Sequence, residues 1–309
     1  MAISKPITYV YLETTNYCNL ECSFCNRNEV IGALRHMPIV KFREMMENIK
    51  HHPIEEAKLM GMGEPMLHPK FDEVVMIFKE YFPNAKLIVA TNCQYNIGEG
   101  KPLRERFQRA LQYIDVLYYS IDGWGKSYER DRSPAKWEKL LTFLDDFKNM
   151  ERKGCRVVCN YVVNPQNVED IQKVSDGIVD KYGLEELRLN IAQDWSADKS
   201  LPGGYTNKQL KYLKSWGDNV KGKAVWNFED CFWVEEGLYT TVEGNVKMCC
   251  MNTGAKPFGN IFSQDLEEIR QSEDYQNVKK GCNTNNPTSH CKNCSYKELV
   301  PMLENIKQS

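Results

Sequence analysis

Apolar positions along the chain follow two alternating periods. Short runs rich in β-branched and aromatic residues recur as TYVYLE (8–13), AKLMGMG (57–63), KLIVATN (86–92), DVLYYSIDG (115–123), CRVVCNYVV (155–163) and ELRLNIA (186–192). Between them, stretches near 40–51, from Phe71, near 102–112, near 135–153 and over 168–182 place apolar residues at helical spacing. Near-continuous apolar strands separated by amphipathic helices predict repeated βα units on a parallel sheet. Six units cannot close an eight-stranded barrel, which leaves an open partial barrel or a doubly wound sheet. Gly123, Gly154 and Gly183 fall where turns and helix ends are expected.

The pattern lapses at DWSADKSLPGGYTNKQ, which is polar and turn-rich, before a short amphipathic run. From about 225 the chain reads as short strands (GLYTTVE, NVKMC), turns and six cysteines. That is little apolar material for an independent core, and domains of this kind are often stapled by a metal. The expected layout is therefore 1–195, a connector over 196–224, and a small domain over 225–309.

Composition narrows the class. With 309 residues, 42% apolar and 27% charged, the chain has the makeup of a globular protein. A net charge of −2 predicts no broad attraction to nucleic acid or anionic membrane. No apolar run approaches the roughly 20 residues of a membrane helix, and the start lacks a signal-peptide block. A cytoplasmic location, where thiols stay reduced, is expected, and twelve cysteines there point to metal rather than disulfides.

Cys18, Cys22 and Cys25 sit in LETTNYCNLECSFCNRN, directly after the first strand. Three thiolates on one loop can hold three corners of a cubane iron–sulfur cluster and leave the fourth iron open, as sites that do chemistry require. A zinc knuckle with a distant fourth ligand, or three unconnected thiols, are the plainer alternatives. The spacing C-x3-C-x2-C, with Phe24 before the last cysteine, resembles the cluster motif of the radical S-adenosylmethionine (radical SAM) superfamily.

That resemblance implies a partial (β/α)6 TIM-like barrel, a [4Fe–4S] cluster with one open iron, and SAM bound to it. GMGEP (61–65) stands where the family carries Gly-Gly-Glu for the SAM amino group. It implies roles for Gly61, Gly63 and Glu64, with Met62 a departure from the pattern. A strand-ending turn at Pro65 accounts for the segment equally well. Ser120 and Asp122 in SIDG, followed by Asn160 and Asn190, are the implied ribose and adenine contacts, with Arg188 on the same strand series. An Asx turn and ordinary hydrogen-bonded strand residues are the alternatives for these.

The C-terminal order Cys231, Cys249–Cys250, Cys282, Cys291 and Cys294, with Gly244 before Cys249, resembles the SPASM or shorter twitch extension of the same superfamily. It implies one auxiliary [4Fe–4S] cluster on Cys231, Cys249, Cys291 and Cys294. Cys250 is an alternative to Cys249, because adjacent strand residues point to opposite faces. Cys282 is left as a spare, either packed or a substituted ligand, and a structural zinc ribbon has the same spacing.

The layout is most like that of inosamine dehydrogenases in this subgroup. It implies hydrogen abstraction from a small molecule with net oxidation, the auxiliary cluster taking the second electron. An electron donor such as flavodoxin or ferredoxin is implied as partner. Peptide maturation is the alternative; the early first strand argues against a leader-gripping module ahead of it. An iron–sulfur electron carrier or a zinc-braced binding protein is the non-enzymatic alternative. Cys93, Cys155 and Cys159 read as core thiols, His51 and His52 as helix-end cations. The 128–137 segment reads as a charged helix start with an option on substrate contact, and Asp194 and Trp195 as placed near a substrate.

Overall fold

A computed structural model describes residues 5–192, 204–220, 231–250, 254–282, 284, 286–292 and 294. Nine strands are described: β1 (Tyr9–Leu12), β2 (Glu56–Leu59), β3 (Lys86–Thr91), β4 (Val116–Ser120), β5 (Arg156–Val163), β6 (Glu186–Ile191), β7 (Gly237–Thr240), β8 (Asn245–Lys247) and β9 (Gly259–Asn260). The chain divides into two compact units, one within 1–18, 27–89 and 226–294, the other within 19–26, 90–225 and 295–309.

In the first unit β1 is central. It pairs in parallel with β2 (Val10↔Ala57) on one side and with β7 (Val10↔Leu238) on the other. β2 continues in parallel to β3, while β8 and β9 add antiparallel edges beyond β7. Val10, Leu12, Ala57, Leu59, Leu87 and Val89 are fully buried. Helices Ile39–Ile49 and Phe71–Tyr81 cover the strands with Phe42, Met45, Met46, Ile49, Phe71, Val74, Val75 and Phe78, the helical-period positions of the sequence. The first strand after residue 225 thus extends the parallel sheet begun at residue 9, although more than 220 residues separate the two.

The region read as turns beyond 260 contains helices Leu266–Gln271, Glu273–Cys282 and Ser289–Lys292. Asp265 caps the first through the Glu267 and Glu268 amides, a start signal present in the sequence. Asn48 anchors the same corner, its amide donating to Ile261 and Gln264 carbonyls and its oxygen accepting from Leu266 N–H.

In the second unit β4, β5 and β6 run parallel (Tyr119↔Cys159, Tyr161↔Leu189). Helices Pro102–Leu111 and Trp137–Lys148 supply Phe107, Phe143 and Phe147: Phe107 packs tilted against the other two, which stack on each other and meet Tyr119 edge-on. The helix expected over 168–182 is broken into a 3-10 turn, a short α-helix and a π turn at Ser175–Asp180. The Trp124 ring fills the space at Gly177, where a Cβ would lie 2.3 Å from it, and the widened turn accommodates the ring. Helix Asn207–Ser215, closed by a Thr206/Gln209 capping box, lies in the expected connector. Among the described residues no helix is long and apolar enough to cross a membrane.

Candidate active site

The three-cysteine loop is built from the backbone up. Within 19–26, Cys25 N–H donates to Cys22 O at 3.0 Å, forming a tight turn. Glu21 N–H and Ser23 N–H donate to the carbonyls of Ser133 (2.6 Å) and Asp131 (2.9 Å). Asn19 donates its side-chain amide to Gln94 O and accepts from Asn92, both at 2.8 Å. Cys18 and Cys22 are half-buried and Cys25 is exposed. The sulfurs are thus accessible while the peptide carrying them is fastened.

Arg132 completes the second unit's part of this site. Its guanidinium donates to Cys22 Sγ at 3.8 Å, stacks 5.4 Å from the Phe24 ring, and pairs with Asp122 at 2.5 Å. Burial opposes its charge, but the Asp122 carboxylate and the Cys22 sulfur hold its pKa above the ordinary arginine value. Arg132 stays cationic and favours the Cys22 thiolate, the form that ligates metal.

Asp122 is fully buried, its Oδ1 accepting from Val162 N–H at 2.7 Å and its Oδ2 turned to Arg132. Part of the charged 128–137 segment lies in helix Lys126–Asp131, and Arg132 just after it is 7% exposed and braces the loop. The sequence signal was a buried-strand acid followed by RDRSP, whose pairing no local pattern reveals.

Ser120, Asn160 and Asn190 do come together. Ser120 is in register with Asn160, and alternation along β5 and β6 puts Asn160, Arg188 and Asn190 on the same face. Asn190 donates to Asn160 Oδ1 at 2.8 Å, and the Arg188 guanidinium lies 5.6 Å from the Tyr118 ring. Asp194 and Trp195 lie outside the described residues.

In the first unit, GMGEP follows β2 as a close-packed bend. A Cβ on Gly63 would sit 2.2 Å from Thr15 O and 2.7 Å from Tyr17 O, so only glycine fits there. Glu64 N–H donates to Tyr17 O at 2.8 Å, and the Glu64 carboxylate, 3% exposed, caps Met66 N–H at 3.2 Å. Met62 N–H donates to Glu13 Oε1 at 2.9 Å. Sequence reasoning missed Glu13, a charged residue at a strand end that is 3% exposed. His52 accepts from Ile7 N–H, and burial lowers its pKa, so it is not the expected helix-end cation.

The auxiliary cysteines occupy the same unit. Cys282 and Cys291 are buried with Val234, Met248, Tyr275 and Val278, and Cys231 packs against this group. Cys231 and Cys282 are hydrogen-bonded, which together with burial pushes the Cys231 thiol pKa up. Cys282 is thus a packed thiol beside the expected ligand Cys231. Cys294 N–H donates to Cys291 O at 3.3 Å. β8 ends at Lys247, so strand alternation does not decide between Cys249 and Cys250; both are half-buried. Cys155, buried among apolar neighbours, has its thiol pushed up to about 12, the inert state of a core thiol; Cys93 and Cys159 are likewise buried.

These residues suit the groups they are expected to hold. Both candidate sets are all-thiol, a soft donor set suited to iron–sulfur clusters or zinc. Among the described residues no three His, Cys, Asp or Glu side chains converge on a single ion.

Comparison with known proteins matches this geometry. The radical SAM superfamily profile covers residues 12–176, and the SPASM iron–sulfur cluster-binding profile covers 231–295. The PqqA peptide cyclase of Xanthomonas euvesicatoria is 24% identical over 173 residues, 55% of this chain and 44% of that protein. The GTP 3′,8-cyclase of Nautilia profundicola is 29% identical over 117 residues, 37% of this chain and 36% of that protein. The chain thus matches less than half the length of these relatives.

Among solved structures, Streptococcus suis SuiB bound to S-adenosylmethionine superposes with a TM-score of 0.70 at 15% identity, covering 95% of this chain and 71% of that one. BtrN in complex with AdoMet and 2-DOIA gives 0.56 at 16%, covering 94% of each. The enzyme anSMEcpe with AdoMet and the Cp18Cys peptide gives 0.62 at 15%, covering 98% and 91%. The shared fold is the α/β partial-barrel class with a C-terminal cluster segment, and the cofactors of the class are [4Fe–4S] clusters, one of them auxiliary, and SAM.

Proposed function

The chain belongs to the radical SAM superfamily, and we propose that it cleaves SAM reductively and uses the product to take a hydrogen atom from an unactivated carbon. Cys18, Cys22 and Cys25 would hold a [4Fe–4S] cluster, which when bound would supply the electron for reductive cleavage of SAM. The observation that carries this reading is the three-thiol loop itself, fastened by backbone bonds and set beside a buried arginine.

Each residue then has a task. Cys18, Cys22 and Cys25 would hold the first cluster through three thiolates. The Gly61–Gly63 backbone and Glu64 receive the ammonium, and Ser120, Asn160 and Asn190 offer a hydroxyl and amides to ribose and adenine. Arg132 holds Cys22 as thiolate, and Phe24 covers the guanidinium. Cys231, Cys249, Cys291 and Cys294 hold the auxiliary cluster. Net oxidation would take one hydrogen atom, one further electron and one proton from the substrate, two hydrogens in all, and a cluster on those four cysteines would supply the acceptor for that electron. The first electron comes from a donor such as flavodoxin or ferredoxin, in a reducing cytoplasm.

A small-molecule alcohol is the first reading of the substrate. The second, a peptide, is favoured by the likeness to a peptide cyclase and to structures that hold peptides. Anaerobically reconstituted protein given SAM and dithionite should release 5′-deoxyadenosine. Mass spectrometry over a panel of small alcohols and synthetic peptides should then find a product lacking two hydrogens in the alcohols. A change confined to the peptides favours the second reading, and no 5′-deoxyadenosine from iron-loaded protein overturns both.

A further inference from the structure

The family pattern places a glycine where this chain has Met62, and the structure shows what secures the backbone there. Glu13, immediately after β1, reaches two neighbouring segments at once. One carboxyl oxygen accepts Met62 N–H at 2.9 Å, at the centre of Gly61–Gly63. The other accepts Val242 N–H at 3.4 Å, in the turn that joins β7 to β8. Its own N–H donates to Thr240 O at 3.0 Å. The fit is close: a Cβ on Gly61 would lie 2.6 Å from Glu13 Cγ. Glu13 and Met62 line one small cavity, about 30 Å³, with Tyr239, Glu243 and Lys247, room for about one water.

A carboxyl buried to this degree is costly to keep unless its hydrogen bonds are satisfied. An apolar side chain filling the same space would leave the Met62 and Val242 amides without their acceptor. A carboxyl here instead takes up the one amide whose direction sets the neighbouring Gly61 and Gly63 peptides. We propose that Glu13 is a positioning residue: it clamps Met62 N–H and so holds the Gly61–Gly63 backbone in the orientation that receives the ammonium of SAM. The clamp is compatible with methionine here, since the acceptor binds the backbone amide and leaves the side chain uninvolved. This inference rests on the proposed reading of GMGEP as the ammonium site.

The test compares Glu13→Gln, Glu13→Asp and Glu13→Ala in the full-length, anaerobically reconstituted protein. Glutamine keeps an acceptor at the right reach, aspartate keeps the charge but is one methylene short, and alanine has neither. Equilibrium dialysis with SAM should show Glu13→Gln within about threefold of the parent. Aspartate and alanine should weaken binding by about tenfold or more, which is about 1.4 kcal/mol. KM for SAM should rise in parallel while kcat stays within about twofold, with iron content unchanged. Equal affinity in all four proteins, or a loss carried by kcat alone, overturns the clamp. Should the aspartate and alanine variants fail to fold, hydrogen exchange of the parent peptide covering 60–66 decides. A Met62 amide protected before SAM is added supports the clamp, and exchange at the unprotected rate overturns it. A parent that cleaves no SAM speaks against the proposed function, whereas the exchange measurement reads the clamp separately.

Discussion

The two cysteine groups use the same side chain in opposite settings. The N-terminal loop leaves Cys25 exposed and Cys18 and Cys22 half-buried, and fixes the peptide by backbone bonds to 131–133. The C-terminal group buries Cys282 and Cys291 among Val234, Met248, Tyr275 and Val278 and brings Cys282 against Cys231. Accessible sulfurs on a fastened loop suit a cluster that must admit an outside ligand. Buried sulfurs in an apolar group suit a closed cluster, where hydrogen bonding and solvent exclusion set the potential. Among the four expected auxiliary ligands Cys291 is buried, while Cys231, Cys249 and Cys294 are half-buried like Cys18 and Cys22, so the contrast lies at Cys25 and Cys291.

Breaking either group should have different consequences. Cys22→Ala should abolish 5′-deoxyadenosine formation and lower iron by about four of about eight per chain, as expected for loss of one of two cubanes. Cys294→Ala should lose as many irons and all substrate turnover, yet retain SAM cleavage within about threefold of the parent. If both variants lose SAM cleavage equally, the division of labour is wrong.

Arg132→Met tests the loop's support. It leaves Asp122 buried without its cation, and denaturant unfolding should show a loss of about 3–5 kcal/mol. Iron uptake by the first site should fall with it, while the auxiliary iron stays.

A smaller effect reports on Glu13, whose carboxyl is pushed up from 4.5 to about 7, chiefly by burial. The folded protein then holds this proton more tightly than the unfolded chain does. Stability contributed by the protonated form is complete below about 4.5 and is lost as pH rises to about 7. Relative to Glu13→Gln, the parent should lose on the order of 3 kcal/mol across that window. A flat difference with pH would mean that the carboxyl is ionised throughout. Least of all, Ser120→Ala should raise KM for SAM by about threefold, since it removes one hydrogen bond of about 1 kcal/mol.

Much of the fold was legible because it is local. The alternation at Tyr9–Leu12 and the helical spacing of Phe42, Met45, Met46 and Ile49 follow from which face each residue must bury. The helices at 266–292 escaped notice because their apolar stripes are short (Leu266 and Ile269, then Tyr275 and Val278), and the nearby cysteines drew the reading toward turns and metal. The broken helix at 171–180 was illegible: the Trp124 ring that packs against Gly177 comes from another segment, and helical spacing does not register it.

By itself the amino-acid order determined that three thiols stand within eight residues after a strand, and that βα units precede a cysteine-rich end. Those are statements about neighbours in the chain, where spacing and period suffice. Only the tertiary structure decided that Arg132 meets Cys22 across 110 positions and pairs with Asp122, and that Glu13 reaches Val242 across 229. A buried charge chooses its partner by which strands and loops fold together, and no local periodicity carries that information.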